Sequence, residues 1–290
     1  MEERVVINSG GLALAGILQI PSGSGSNGTR AAFLVLHGFG GNKDGTGTRA
    51  GAGMLAEMGY ATLRFDMRGC GESEGEPGRV ICLEQVEDTL AALEFLARRP
   101  EIDANRIGIM GSSFGAAVAV YTAGVDPRPA AVISVGGWGD GERKFRGQHP
   151  TPEAWAKFTG MLERGRRHRE ETGQSLMVPR FDIVPIPEHL RSNMSKGGVM
   201  EFPAETAQSM FDFRADDVVG NITPRPLLLL HSAQDSVTPT EQSAEMFKRA
   251  GQPTDLILLS DVDHFTFGEH NPRVRAVIGD WLAKYLPARV

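Results

Sequence analysis

A short motif between a strand pattern and a helix pattern constrains this chain more than any other feature. Residues 106–119, RIGIMGSSFGAAVA, run from apolar residues through G-x-S-x-G into a series of small, helix-compatible residues. Ser113 stands at the turn, where Gly111 and Gly115 allow strand and helix to approach closely. A serine hydroxyl held out at such a turn is typical of a nucleophile when a base lies beside it. An ordinary strand-to-helix turn fits the motif alone, so its interpretation depends on residues later in the chain.

Length and composition predict one large globular domain, or one domain that carries a substantial insertion. The 290 residues are 41% hydrophobic and 23% charged, a balance that excludes disordered and fibrous proteins. The net charge of -6 favours neither nucleic acid nor an anionic membrane as a partner. Glu2 and Glu3 are unlike the basic start of a signal peptide, and no long apolar run follows them. We therefore expect a cytoplasmic protein.

Strand and helix patterns alternate along most of the chain, which predicts the α/β class with a mostly parallel central sheet and helices on both faces. Predicted strands cover residues 5–7, 12–20, 31–36, 61–65, 130–135, 226–231 and 256–259, in addition to the strand before Ser113. Predicted helices cover residues 50–58, 80–99, 240–249 and 272–286. The first two strands are expected to be antiparallel.

The alternation stops between Trp138 and Asn221, which predicts an inserted cap. We assign residues 1–137 and 222–290 to the core and residues 138–221 to the cap, which enters after the strand that follows the elbow strand and ends before the strand leading to Asp235. Within the cap, Thr151 and Pro152 mark a helix start, a second helix is expected at 203–213, and the proline-rich residues 177–187 are expected to be extended. Five apolar side chains are predicted to line a pocket beneath the cap, although they could instead form its own small core: Trp138, Trp155, Phe158, Met210 and Phe211.

An activated serine needs a base and an acid that orients the base, and in such a sheet both come from loops at the carboxyl ends of strands. His264 follows the last predicted strand, and Asp235 follows the strand before it. Asp263 is a less favoured alternative for the acid, because a sequence neighbour generally cannot reach the far nitrogen of the imidazole. The order Ser, Asp, His is the one that accompanies a G-x-S-x-G elbow.

These residues resemble the α/β-hydrolase family, and within it the small carboxylesterases that carry a lid insertion. The likeness rests on the elbow at 111–115, the His-Gly-Phe-Gly turn at 37–40, the DMRGCGES loop at 66–73, Asp235 and His264. The His-Gly-Phe sequence also resembles the feruloyl and cinnamoyl esterase group. The resemblance implies that Ser113 attacks an acyl carbon, His264 transfers the proton, and Asp235 holds the imidazole. It further implies an oxyanion hole made by the backbone N–H groups of Phe39 and Phe114.

The expected function is hydrolysis of a small or medium acyl or aryl ester through an acyl-enzyme intermediate. A thioesterase or amide hydrolase with the same three residues is the alternative, and a ligand-binding protein that has lost the chemistry is less favoured. The expected partner is a small-molecule acyl substrate, with neither nucleic acid nor membrane, and a homodimer is left open. We expect no cofactor and no metal, since Cys70 and Cys82 match no metal or redox spacing.

Other polar residues receive structural interpretations. His37 is expected to bond within its own loop, Asp66 and Arg68 to pair with each other, and His149 to be solvated. The basic group Arg164, Arg166, Arg167 and Arg169 is expected to be a solvated helix face, with attraction of an acidic substrate group as the less favoured alternative.

Overall fold

A mostly parallel sheet forms the centre of the fold. The structure, a computed structural model, describes residues 2–22, 29–267 and 272–288, and in this part of the chain the sheet has eight strands. The strands are β1 (Glu2–Ser9), β2 (Leu12–Gln19), β3 (Arg30–Leu36), β4 (Ala61–Phe65), β5 (Ile102–Ser112), β6 (Ala131–Val135), β9 (Leu227–Ser232) and β10 (Thr254–Leu259). Their spatial order is β1-β2-β4-β3-β5-β6-β9-β10. β2 runs antiparallel to β1, as the sequence predicts, and it is also antiparallel to β4. The other pairs are parallel, which agrees with the mostly parallel sheet expected from the sequence.

Helices cover both faces of this sheet. The described helices are α1 (Thr46–Glu57), α2 (Cys82–Ala97), α3 (Phe114–Val125), α4 (Gly141–Gln148), α5 (Pro152–Thr172), α6 (Arg180–Ile183), α7 (Ala204–Asp212), α8 (Glu241–Arg249) and α9 (Pro272–Tyr285). Along β3, Phe33 and Val35 pack in the core that contains α1 and α9, whereas Leu34 and Leu36 pack in the core that contains α2 and α3. This alternation explains why the strand is apolar throughout, since each of its faces contacts a helix layer.

The residues between β6 and β9 form the predicted insertion. They include α4 to α7 and a two-stranded antiparallel ribbon of β7 (Met177–Pro179) and β8 (Glu201–Pro203). The predicted helix start is present, because the Thr151 hydroxyl accepts a hydrogen bond from the amide of Ala154 at 3.2 Å. The expectation that residues 177–187 are extended is wrong for Arg180–Ile183, where α6 forms a helical turn, whereas β7 before it and the backbone of Val184 after it are extended. The division at residues 138 and 221 stays a prediction.

No helix within the described ranges combines the length and the apolar character needed to cross a membrane. The longest of them, α5, has charged residues along most of its exposed side, including the basic group expected from the sequence: Arg164, Arg166, Arg167 and Arg169. These four arginines therefore form a solvated face.

A lysine is buried inside the insertion. Lys144 of α4 is 2% exposed, and its ammonium lies 3.8 Å from the centre of the Phe145 ring and 5.3 Å from that of Trp138. Within the described residues its Nζ atom has no hydrogen-bond partner. Burial lowers the pKa of Lys144 from its ordinary 10.5 to about 7. Two aromatic rings thus compensate only part of the cost of removing this charge from water.

Replacing this lysine should stabilise the fold in a pH-dependent way. Between about pH 7 and pH 10 the folded protein keeps Lys144 neutral while the unfolded chain binds a proton, so the cost of burial grows as the pH falls. Lys144→Met should therefore raise the free energy of unfolding at both pH values, and the increase should be about 2–3 kcal/mol larger at pH 6 than at pH 9. Urea denaturation at both pH values measures this difference. The exposed Lys157→Met is the control, and an equal response of the two variants to pH would contradict the assignment.

Candidate active site

The elbow forces the chain into a conformation that few side chains tolerate. β5 ends at Ser112, α3 begins at Phe114, and Ser113 between them has φ 54° and ψ -114°. A Cβ atom on Gly111 would collide with the carbonyl of Gly115, and one on Gly115 would lie 2.6 Å from the carbonyl oxygen of His37. The two glycines are therefore required by close backbone contacts, and they let strained Ser113 project from the turn.

Three predicted site residues form one hydrogen-bonded chain. The Ser113 hydroxyl lies 2.9 Å from Nε2 of His264, and Nδ1 of His264 lies 2.8 Å from one carboxylate oxygen of Asp235 and 3.0 Å from the other. The strand ends that the sequence predicted to meet supply all three side chains. Because Nδ1 faces a carboxylate, it carries the proton, which leaves Nε2 free to accept one from Ser113.

The Asp235 carboxylate is held ionised by its surroundings. Burial would raise the pKa of this carboxyl, but His264 and a contact from His231 outweigh burial, so the pKa lies well below its usual range. The amides of Val237 and Thr238 also donate to Oδ1 at 2.8 and 2.7 Å. The carboxylate therefore stays charged at neutral pH and can stabilise an imidazolium.

Asp263, the alternative orienting acid, has other partners. Its carboxylate accepts hydrogen bonds from the backbone amide and the hydroxyl of Ser236, at 2.9 and 2.7 Å, and from the backbone amide of His264 at 2.7 Å. Its contacts thus fix the loop that carries His264 next to the loop that carries Asp235.

The two predicted oxyanion donors lie at suitable positions in the chain. Phe114 is the first residue of α3, so its amide has no acceptor within the helix. Phe39 lies in the turn after β3, and its amide has no acceptor in the described part of the chain. On the other side of the same residue, the Phe39 carbonyl accepts a hydrogen bond from Nη2 of Arg180 at 2.6 Å. The role of both amides stays a prediction.

The loops around this turn are fixed by polar contacts. His37 bonds within this region, as expected: Nδ1 donates to the Gly38 carbonyl at 2.9 Å, and Nε2 accepts from the Met67 amide at 3.1 Å. Burial lowers the pKa of His37, which keeps the ring neutral. The expected pairing of Asp66 with Arg68 is wrong. Instead Asp66 pairs with Lys43 at 2.9 Å and Arg68 with Asp88 at 2.6 Å, because both carboxylates are fully buried and each needs a cation within reach.

A mainly apolar cavity of about 90 Å³ opens beside the Ser113 hydroxyl. Its described lining includes residues from the core and from the insertion: Gly38, Phe39, Gly40, Ser113, Val135, Val237, His264, Phe265 and Phe267 on the core side, and Arg180, Val184, Ile186, Asn193, Met194, Ser195 and Gly198 on the insertion side. The insertion therefore forms one wall of the cavity. This small volume suits a small acyl chain.

The five predicted pocket residues lie elsewhere, and this part of the prediction is wrong. None of Trp138, Trp155, Phe158, Met210 and Phe211 belongs to the described lining of the cavity. Phe158 stacks on Phe145 at 4.4 Å between ring centres, and Trp138 packs edge-on against Phe213 at 5.4 Å. Trp138, Phe158 and Met210 are buried in the hydrophobic cluster that contains the other apolar side chains of the insertion, and Trp155 and Phe211 pack against that cluster. They correspond to the alternative that the sequence left open.

The environment of His149 also differs from the one expected. It was expected to be solvated, but its ring stacks on Phe158 at 4.6 Å and is 9% exposed. Burial lowers its pKa, so it packs as a neutral ring.

Two site residues were missed by sequence reasoning. Arg180 lines the cavity from α6, within a segment whose prolines concealed the helical turn. His231, near the end of β9, is 1% exposed, and its Nε2 lies 3.3 Å from Asp235. The i,i+4 spacing of His231 and Asp235 across a strand end was the only available signal.

The fold and the elbow define the class of this protein: it is an α/β hydrolase. More particularly, the chain belongs to the Hydrolase_4 family, described as serine aminopeptidase, S33, whose model matches residues 27–271. This confirms the fold and the family resemblance expected from the sequence.

Individual proteins extend this comparison. The thiohydrolase aneE of Aspergillus aculeatus is 28% identical over 273 residues, covering 88% of this chain and 83% of that protein. Hypothetical protein PA2218 of Pseudomonas aeruginosa superposes with a TM-score of 0.84 at 22% identity, covering 99% and 94% of the two chains. Est1E of Butyrivibrio proteoclasticus, solved with ferulic acid bound, superposes with a TM-score of 0.69 at 19% identity, covering 97% and 98%. At these identities the two structures establish a shared fold.

Truncating the insertion's aromatic core should reduce stability. Phe158 is 1% exposed within several ring contacts, so Phe158→Ala should lower the free energy of unfolding by about 3–5 kcal/mol. Phe247 is 36% exposed on α8, and Phe247→Ala should cost less than about 1 kcal/mol. Urea denaturation of both variants checks this, and equally small losses would contradict the assignment of Phe158 to a core.

Proposed function

We propose that this protein is a serine hydrolase that cleaves a small acyl ester through an acyl-enzyme intermediate. The observation that carries the proposal is the chain from Ser113 through His264 to Asp235, which meets the cavity at the serine hydroxyl. An apolar cavity with a poised hydroxyl at one wall is the arrangement that acyl transfer needs.

The geometry supports a definite order of proton transfers. Ser113 attacks the acyl carbon as Nε2 of His264 takes its proton, and Asp235 stabilises the resulting imidazolium. The amides of Phe39 and Phe114 hold the negative oxygen of the tetrahedral intermediate. His264 then returns the proton to the leaving alcohol, and a water molecule repeats the sequence to release the acid and restore Ser113.

Thioesters and amides are the alternative substrates, since the same groups serve all acyl transfers. The thiohydrolase aneE favours the thioester, and the description of the family as a serine aminopeptidase favours the amide. An ester, a thioester and an amide with one common acyl group separate these substrates. The proposal expects the highest kcat/KM for the ester, and a higher value for the amide would replace it with amide hydrolysis.

Removing the proposed nucleophile should abolish the reaction. Ser113→Ala should fold, because it removes only the hydroxyl, and its ester hydrolysis should fall by about three orders of magnitude or more. Labelling by a fluorophosphonate probe should disappear with it. Ser175→Ala in the insertion is the control and should keep both. A Ser113→Ala protein that still hydrolyses esters or accepts the label would overturn the elbow assignment.

Replacing Asp235 should reduce kcat far more than replacing Asp263. Asp235→Asn replaces the carboxylate that contacts Nδ1 of His264, so kcat should fall by about 10³- to 10⁴-fold. Asp263→Asn changes a carboxylate whose described hydrogen bonds come from Ser236 and from the backbone amide of His264, and its loss should stay below about tenfold. Steady-state kinetics at saturating ester measures both, and the reverse ranking would assign the orienting role to Asp263.

A further inference from the structure

The cavity beside Ser113 contains a buried arginine. Arg180 is 7% exposed and lines the cavity from the insertion. Burial lowers the pKa of its guanidinium to about 10, so the group is still charged at neutral pH. The side chain is positioned by two backbone acceptors: Nη1 donates to the Val199 carbonyl at 3.0 Å, and Nη2 to the Phe39 carbonyl at 2.6 Å.

This charge has no anionic partner in the described part of the chain. No carboxylate there lies within ion-pair distance of Arg180, and its Nε atom is buried without a hydrogen-bond acceptor. Arg64, the other buried arginine of the described residues, illustrates the contrast, since its guanidinium lies 3.1 Å from a carboxylate oxygen of Glu2 and 3.8 Å from one of Asp44. A guanidinium has five N–H donors, and backbone carbonyls occupy two of those of Arg180. Burying a charge without a counter-charge is costly, and the rings of Phe39 and Phe202, whose centres lie 5.2 and 6.0 Å from the guanidinium carbon, offset only part of that cost.

The side chains that line the cavity determine where an anion would bind. Arg180 is the only permanently charged side chain of the described lining, which has no aspartate or glutamate. The remaining wall near it is apolar, with Val184, Ile186 and Met194 from the insertion. A bound anion would therefore meet one guanidinium in a region of low dielectric constant, where a charge-assisted hydrogen bond is strong.

We propose that Arg180 binds a carboxylate on the substrate, so that the preferred ester is a small half-ester or acyloxy acid with a negative charge a few bonds from the scissile carbonyl. The inference rests on the proposed function and narrows its substrate class. The guanidinium also contacts the carbonyl of Phe39, whose amide is a proposed oxyanion donor. A bound carboxylate would thus be held close to the reacting group, where its placement orients the ester for attack.

The position of the charge separates this site from the basic group on α5. Arg164, Arg166 and Arg167 are exposed to solvent and are not part of the described lining of the cavity. Salt and water screen such charges, so they contribute little to selecting one substrate over another. We therefore assign the attraction of an acidic substrate group to Arg180 and not to the exposed arginines of α5.

Matched pairs of charged and neutral esters test the proposal by pH-stat hydrolysis assays. For a charge in the acyl part, monoethyl succinate and monoethyl glutarate are paired with ethyl 4-methylpentanoate and ethyl 5-methylhexanoate. For a charge in the alcohol part, 3-acetoxypropanoate is paired with 3-methylbutyl acetate. In each pair an isopropyl group replaces the carboxylate, so size and shape are nearly constant. The readout is the charged-to-neutral ratio of kcat/KM.

The wild-type ratio should exceed one in at least one pair, by about ten- to hundredfold, and the pair that does so locates the charge in the acyl or the alcohol part. Arg180→Met should reduce that ratio by a similar factor, while Arg180→Lys should retain part of it. Arg166→Met is the control for general attraction and should leave the ratio within about twofold of the wild-type value.

Two outcomes overturn the inference and leave the proposed function intact. The first is that the wild-type protein hydrolyses the neutral esters but has a charged-to-neutral ratio of kcat/KM at or below one in all three pairs. This outcome is measured on the wild-type protein alone, so it does not depend on the folding of a variant. The second is an equal loss on charged and neutral esters in Arg180→Met, which would make Arg180 only a brace for the Phe39 turn. Failure of the proposed function is distinct, because then no ester would be hydrolysed and Ser113 would not react with a fluorophosphonate.

Discussion

The close approach of α3 to the carboxyl ends of β3 and β5 is the constraint on which the rest of the site depends. It requires glycine at 111 and 115, because a methyl group at either position would meet backbone atoms. At this contact Ser113 has a φ angle of 54°, a conformation that few side chains adopt, and its hydroxyl reaches Nε2 of His264. The loops after β9 and β10 then need only supply an acid and a base at the same edge. The parallel order of β5, β6, β9 and β10 brings them there.

The features that the sequence predicted are those that depend on local pattern. Apolar runs such as residues 31–36 have to be buried on both faces, and G-x-S-x-G admits few structures once a strand precedes it and a helix follows it. Because parallel strands end at one edge, Asp235 and His264 could be placed near Ser113 without knowledge of any contact. The fold was therefore predictable almost completely, and so was the meeting of these three side chains.

The insertion was predictable only in outline, for a physical reason. Its aromatic side chains could either line a cavity or pack against one another, and helical spacing is the same in both cases. Phe158 and Trp138 pack within the hydrophobic cluster, whereas the insertion's side of the cavity is lined by residues from Arg180 to Gly198, of which those up to 187 were expected to be extended. The partners of buried charged side chains could not be predicted from the sequence either. Lys43 reaches Asp66 across 23 positions of sequence, and no local pattern specifies such a pair.

The central claim is that an acyl group passes through the oxygen of Ser113. The most direct measurement is to mix the protein with a chromogenic ester, quench with acid within the first turnovers, and map the acyl group by peptide mass spectrometry. The account predicts one acyl adduct on the peptide that contains Ser113, formed at the rate of the initial burst of alcohol release. Turnover of the ester with the acyl group on another side chain would contradict it.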